Sequence, residues 1–266
     1  MAIHPTAIID PQAEVDSTAE IGPFAIINGP CRIGARTKVM AHAIIGPWCE
    51  IGEDNVIHYG AVVGHEPQHL AYKGEERWTK IGHRNIIREY ATIHRAYVEG
   101  TATTIGDDCL LMAYAHVAHD CQIGNRVVLV SNVLVGGHAE IEDGAFLGGG
   151  SAVHQFTRIG KLVMVAGLAR VSQDVPPFMM VAGESKIRAL NIVGLRRANV
   201  SAEARTAIKR AYRILYHQGM PLPLAVEEIR QSDMTPEVRH MVDFITKSKR
   251  GVSSHYRGAL ADMLDD

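Results

Sequence analysis

Aliphatic residues recur every six positions along the first two-thirds of the chain. Counting in sixes from Ile3 to Val171 gives 29 positions, and 26 of them are Ile, Val or Leu. The exceptions are His69, Glu75 and Glu99. An amphipathic helix would show a period of about 3.6 and a half-buried strand a period of 2, so neither accounts for the pattern. Glycine often follows the aliphatic position, as at Gly22, Gly34, Gly46, Gly52, Gly82 and Gly106, which suits a tight turn where a Cβ is unwelcome. The position four after it is usually small: Ala25, Ala43, Ala61, Ala115 and Ser151 are examples. A large inward residue beside a small one is a way to fill a narrow interior. Cys31, Cys49, Cys109 and Cys121 all take the small position. They are therefore expected to be buried packing residues, and their spacing has no CxxC or zinc-knuckle form.

The pattern lapses at roughly 65–80 and 96–104, which predicts two loops that leave a repetitive scaffold. Such loops are where function is expected. The repeat ends at Pro176-Pro177, so the scaffold is expected to span 1–177. A connecting segment, 178–200, should lead to a helical domain, 201–266. Ser201 is placed to cap a helix running to about Gln218, with Gly219 as its stop. Ala204, Ile208, Ala211, Ile214 and Leu215 fall on one face of it. A short helix fits 223–231, and Thr235-Pro236 reads as the cap and first residue of a helix to about Lys249. The tail from Gly251 reads as loosely held.

With 47% hydrophobic and 21% charged residues in 266, the chain can bury a sizeable core and is not disordered. A net charge of −2 gives no global pull toward nucleic acid or a membrane surface. The N-terminus lacks a basic stretch followed by an apolar one, and no apolar run is long enough to span a bilayer. The expectation is a cytoplasmic protein without stable membrane insertion.

The six-residue repeat resembles that of hexapeptide-repeat proteins. That resemblance implies a mainly β fold: a left-handed parallel β-helix with three six-residue faces, 18 residues per coil, and coils about 4.8 Å apart. Residues 18 apart then stack. His119-Asp120, Gly137-His138 and His154-Gln155 would form a ladder along one edge, with His116 three residues before His119. The ladder offers a base, a small residue whose N–H can face a ligand, and polar groups around them. Surface histidines at turns are the plainer reading of the same pattern.

The segments Ala115-His-Val-Ala-His-Asp-Cys121, Gly136-Gly-His138, Ala152-Val-His-Gln-Phe156, Gln173-Asp-Val-Pro-Pro177 and Asn191-Ile-Val-Gly-Leu-Arg-Arg197 resemble the UDP-N-acetylglucosamine acyltransferase family, over nearly the whole chain. The resemblance implies transfer of a fatty acyl group, with or without a 3-hydroxyl, from acyl carrier protein to the 3-position of UDP-N-acetylglucosamine or a close analogue, the first step of lipid A synthesis. It implies a homotrimer with no cofactor and no metal. It makes His119 the general base, Asp120 its carboxylate partner and Gly137 the oxyanion donor. His116, His138, His154 and Gln155 would line the substrate cleft. Gly167 would help set acyl length, and Asn191 and Arg197 would hold the nucleotide end. Gln68 and Lys73, on the first loop, would also meet substrate.

The chain departs from the family pattern in places. Where the family reads Pro-Gln-Asp-Leu-Lys-Tyr, this chain reads Pro67-Gln-His-Leu-Ala-Tyr72. Ala71 thus replaces a lysine, and Lys73 would point to the same side if the stretch is extended. Val193 and Ala198 stand where a glutamate and a second arginine are usual. These changes leave N-acylation of a UDP-3-amino-sugar open. A coenzyme-A-dependent hexapeptide acetyltransferase is a second alternative. A metal hydratase of the γ-class carbonic anhydrase type is a third, although His116 and His119 lack its spacing. From Arg158 to Arg213 there are eleven Lys/Arg and three Asp/Glu, which suits either a solvated face or a docking surface for an acidic carrier protein.

Overall fold

In the computed structural model, residues 2–232 and 234–255 are described. Short strands wind into three sheets of 12, 9 and 8 strands, forming a left-handed parallel β-helix. Each strand pairs in parallel with the one a coil away, so Ile3 meets Ile21 and Ile21 meets Val39. The first face carries the aliphatic positions Ile21, Val39, Ile57 and onward. The second carries Ile9, Ile27, Ile45 and onward. The third carries Val15, Ile33, Ile51 and onward. These side chains point inward and are almost fully buried from Ile21 to Val171. The six-residue period therefore arises because one residue per face reaches the interior beside one small neighbour. The four cysteines are that small neighbour: all are free and buried.

The glycines have a different cause from the one the sequence suggests. A Cβ on Gly34 would lie 2.7 Å from the Gly52 carbonyl carbon, and one on Gly22 would lie 2.9 Å from Ala41 N. The crowding comes from the backbone of the next coil. The left-handed residue of each turn lies two positions further on and is usually not glycine: Arg36, Asp54, Tyr90, Asp120 and His138 all have φ between 56° and 60°.

One corner is held by buried polar side chains. Thr37 Oγ1 donates to the Gly52 carbonyl and accepts from Asn55 N. Asn55 Oδ1 accepts from Asn85 N, and its Nδ2 donates to the Gly82 carbonyl. Asn85 Oδ1 accepts from Cys109 N. The rungs to Asn55 N, Asn85 N and Cys109 N satisfy buried backbone donors.

The sheet continues beyond the expected boundary at residue 177. Met179–Ala182 pairs with Met164–Val165 on the first face, and Lys186–Leu190 folds back antiparallel onto it. Four helices follow: α1 (Ile192–Arg197), α2 (Ala202–His217), α3 (Leu222–Arg230) and α4 (Pro236–Thr246). Ser201 and Thr235 cap α2 and α4 by accepting from Ala204 N and Val238 N. The tail is held as far as His255, because Ser254–His255 pairs with Lys186–Ile187 and Ser253 N donates to the Asp174 carbonyl. The rest of the expected loose tail lies outside the described residues.

Asn55→Ala should orphan the buried Asn85 N and the half-buried Gly82 carbonyl. The expected loss of stability is about 1–3 kcal/mol for each orphaned group, read by equilibrium urea unfolding. A loss under about 0.5 kcal/mol would mean that the ladder does not carry the corner.

Candidate active site

The second face and the edge after it concentrate the histidines. The strand His116–Val117 belongs to the second face, and the turn that follows it presents His119 and Asp120. One coil on, the turn after Val135 presents Gly137 and His138, and the turn after Val153 presents His154, Gln155 and Phe156. The ladder expected from 18-residue stacking is therefore present. His119 and His138 meet edge to face at 5.1 Å between centroids, and His138 stacks on Phe156 at 4.5 Å.

His119 is oriented through one nitrogen. Its Nδ1 lies 2.7 Å from Asp120 Oδ2, a bond that places the proton on Nδ1 and leaves the Nε2 lone pair outward. Gly137 lies directly against this ring: a Cβ there would sit 2.9 Å from both Cε1 and Nε2 of His119. Only glycine leaves the imidazole in place. Among the described residues, the Gly137 N–H donates to no protein group. An unoccupied donor thus lies beside an unoccupied acceptor, the pairing that acyl transfer to a hydroxyl requires.

Asp120 is the hub. Its Oδ1 accepts from Val98 N (3.2 Å) and Thr101 Oγ1 (2.6 Å). Its Oδ2 accepts from Tyr97 N (3.0 Å) and His119 Nδ1 (2.7 Å). Burial alone would raise its pKa, but the donors led by His119 and Thr101 outweigh it and hold the carboxyl at about 2. Asp120, His119 and His138 offer ligand atoms within 4.8 Å of one another, the spacing of a metal site. Both carboxylate oxygens already accept two hydrogen bonds each, so a cation would have to displace a donor. The donor set does not fit a metal.

The two excursions meet over this edge. They run from 66 to 77 and from 95 to 101 between strands. His69 stacks on Tyr97 at 3.7 Å, and its ring edge meets His119 at 5.6 Å. Buried Arg95 holds the first excursion: it lies over the Trp48 and Tyr72 rings at 5.0 and 5.3 Å and donates to the Gly64 carbonyl and Tyr72 hydroxyl. His69, Tyr97, Thr101 and Arg95 were not singled out from the sequence as site residues. His69 left one trace, as a break in the six-residue period. Tyr97 left none, because its position depends on how the second excursion folds back onto Asp120.

Three neighbouring rings, His94, His116 and His138, are held toward the neutral form. His116 Nδ1 lies 2.7 Å from Thr92 Oγ1, and burial pushes its pKa down. His94, edge-on to His116 at 5.0 Å, is pushed down to about 4 by burial and then by His116 and His65. Burial also lowers His138, against a smaller upward pull from Asp120.

The remaining expected residues lie apart from this cluster or at its margin. His154 Nδ1 donates to the Gln155 carbonyl. Gln68 and Lys73 are exposed on the first excursion. The stretch there is a turn, with Tyr72 N donating to the His69 carbonyl at 3.0 Å, so the extended-chain reason for equating Ala71 with Lys73 fails. Gly167 follows a first-face strand and so lies on a different edge from His119. Asn191 caps α1, accepting from Gly194 N and donating to the Leu162 carbonyl. Arg197 is exposed at the end of that helix.

Known proteins are similar to this chain in sequence and fold. A family model described as Udp N-acetylglucosamine O-acyltransferase, domain 2, matches residues 174–253. A second, described as bacterial transferase hexapeptide (six repeats), matches 30–65 and 102–137. The chain is 48% identical over 224 residues to the acyl-[acyl-carrier-protein]–UDP-N-acetylglucosamine O-acyltransferase of Synechocystis sp., covering 84% of this chain and 75% of that one. It is 42% identical over 257 residues to the Janthinobacterium sp. enzyme of the same name, covering 94% and 98%. The solved UDP-N-acetylglucosamine acyltransferase of Francisella novicida superposes with a TM-score of 0.92 at 35% identity, covering 97% of this chain and 96% of that one.

Asp120 should leave a signature in stability against pH. Its carboxyl falls from an ordinary 3.8 to about 2 on folding, so it adds about 2 kcal/mol at neutral pH. A depressed acid contributes fully above its unfolded pKa and loses that contribution as pH falls through the folded one. The stability gap between the native protein and Asp120→Asn, from urea unfolding, should be flat above about pH 4.5 and narrow toward pH 2. A gap that stays constant through that range would contradict the assignment.

Proposed function

The chain belongs to the acyl-[acyl-carrier-protein]–UDP-N-acetylglucosamine O-acyltransferase family, and on that footing we propose that His119 is the base that drives its reaction. The enzyme moves an acyl group from acyl carrier protein to UDP-N-acetylglucosamine, the first step of lipid A synthesis. The observation that carries the mechanism is the contact of His119 with Gly137, an imidazole whose free Nε2 adjoins a free backbone N–H.

A sugar hydroxyl is a weak nucleophile at neutral pH. Nε2 of His119 takes the proton of the 3-hydroxyl as its oxygen attacks the thioester carbonyl carbon. The carbonyl oxygen becomes an oxyanion and accepts from Gly137 N–H. The intermediate then collapses, the C–S bond breaks, and the imidazolium returns the proton to the departing thiolate. Asp120 keeps the ring in its Nδ1–H tautomer and stabilises the imidazolium. Neutral His94, His116 and His138 add no opposing charge. Proton transfer of this kind contributes roughly 10²–10⁴-fold.

Substrate recognition is assigned by position. His116, His138, His154 and Gln155 are assigned at the reacting edge, and Gln68 and Lys73 on the exposed first excursion. Gly167, Asn191 and Arg197 lie on other parts of the chain, which supports a cleft completed by a second subunit and so a homotrimer. Exposed Arg196, Arg197, Lys209 and Arg213 on α1 and α2 form the basic surface suited to an acidic carrier protein. Among the described residues no helix is long and apolar enough to cross a membrane.

His119→Ala should lose at least about 10²-fold in kcat while sedimenting as a trimer like the native protein, with products followed by mass spectrometry. Near-normal turnover by the folded variant would remove His119 from the mechanism, and a monomeric native protein would remove the trimer.

Lys73→Ala tests the acceptor side separately, on the ground that Lys73 is an exposed cation of the first excursion rather than an equivalent of Ala71. Loss of a charge-assisted phosphate contact costs about 1.5–3 kcal/mol, so KM for the UDP-sugar should rise more than tenfold while KM for the acyl donor holds. Unchanged values for both would mean that the first excursion does not hold the diphosphate.

A further inference from the structure

A cavity opens beside the catalytic edge. It has a volume of 370 Å³ and lies between the His138–Phe156 ring stack, Glu140 and Arg158 on one side and Lys247, Lys249 and Arg250 on the other. Resting on the acyltransferase reading above, we propose that this cavity binds a phosphate ester of one of the two substrates, with Lys249 and Lys247 as its principal cations. The donor's prosthetic arm carries a phosphodiester and the UDP-sugar carries a diphosphate.

The charges in the cavity are not balanced internally. Glu140 is taken by Arg158, whose Nε lies 3.1 Å from it. Arg158 also donates to the Phe244 carbonyl and lies over the Phe244 ring at 4.1 Å. Asp174 is buried, accepting from Arg158 N and from Ser248 Oγ at 2.9 and 2.7 Å. Both carboxylates are therefore committed. Among the described residues, Lys247 and Lys249 pair with no carboxylate. Lys247 ends α4, so its charge also offsets the negative end of that helix. Lys249 has no such partner.

The backbone carrying these cations is fixed on both sides. Ser248 is bonded to Asp174, Asp174 N donates to the Gly251 carbonyl, and Ser253 N donates to the Asp174 carbonyl. Arg250 Nε donates to the Ser172 carbonyl at 3.1 Å. This clamp sets the cations in place before any ligand arrives, which reduces the ordering cost of binding. The opposite wall is His138, whose ring also touches His119. An anion held here lies within reach of the reacting centre, on the side away from the two excursions.

The test pairs kinetics with direct binding. In Lys247→Ala/Lys249→Ala, KM for one phosphate-bearing substrate should rise at least about tenfold with kcat within about twofold, and a Lys249→Arg variant should retain most of the affinity. A rise for the UDP-sugar alone assigns its diphosphate. A rise for acyl-phosphopantetheine but not for acyl-pantetheine assigns the donor arm. Unchanged KM values in a variant that melts like the native protein would overturn the proposal, as would equal losses with and without the donor phosphate. Titration calorimetry with inorganic pyrophosphate is independent of turnover: native protein should bind it and Lys249→Glu should not. Equal binding by both would overturn the site even if the enzyme is active. Absence of acyl transfer by native protein would instead overturn the functional reading and leave the calorimetry to decide the cavity.

Discussion

Coil-on-coil backbone hydrogen bonding in register is the constraint on which the rest depends. Every strand is only two to five residues long, too short to be stable as part of an isolated hairpin. Each gains its partners from the coils before and after it. An unchanging 18-residue step therefore places like positions in columns, and an aliphatic residue must return at each inward position. The same step makes the edges into columns, and one of these columns holds His119, Gly137 and Gln155. The site is thus a product of the stacking that builds the core. Its precision comes from rigid turns rather than from a flexible loop.

Asp120 connects that scaffold to the two excursions. A single carboxylate orients His119 and, through Tyr97 N, Val98 N and Thr101 Oγ1, ties down the second excursion. Tyr97 in turn stacks on His69 of the first. His119, Asp120 and the two excursions over them are therefore one hydrogen-bonded and stacked unit. Removing the carboxylate would loosen the cover as well as the ring, so the effect of a change at Asp120 is not a measure of its electrostatic role alone.

The histidine content of the site is an electrostatic economy as well as a set of contacts. Histidine is unusual in being bulky, polar and readily neutral near pH 7. Burial favours the uncharged form of His94, His116 and His138, so His119 faces one carboxylate and no cation among these three rings. Besides buried Arg95, formal positive charge lies on Arg196, Arg197, Lys209 and Arg213 and on the Lys247–Arg250 segment.

The sequence by itself determined the periodic part. The six-residue repeat requires one inward residue per face, and that rule is local enough to be read from Ile3 to Val171. The stacking of His119, Gly137 and Gln155 followed once 18 residues were assigned to a coil, a number that came from resemblance. Helix caps at Ser201 and Thr235 were legible because capping is a contact between near neighbours. The tertiary structure alone decided the rest. Gly34 is glycine because a neighbouring coil passes 2.7 Å from where its Cβ would be, a distance that no local pattern encodes. His69, Tyr97 and Arg95 reach the site through excursions whose path is set by contacts spanning 19 to 31 residues. Met179–Ala182 stays in the sheet beyond two prolines, because its backbone can still pair with Met164–Val165. Where the determining contact is local or strictly periodic, the sequence records it. Where it depends on how an aperiodic loop folds back, only the packed structure does.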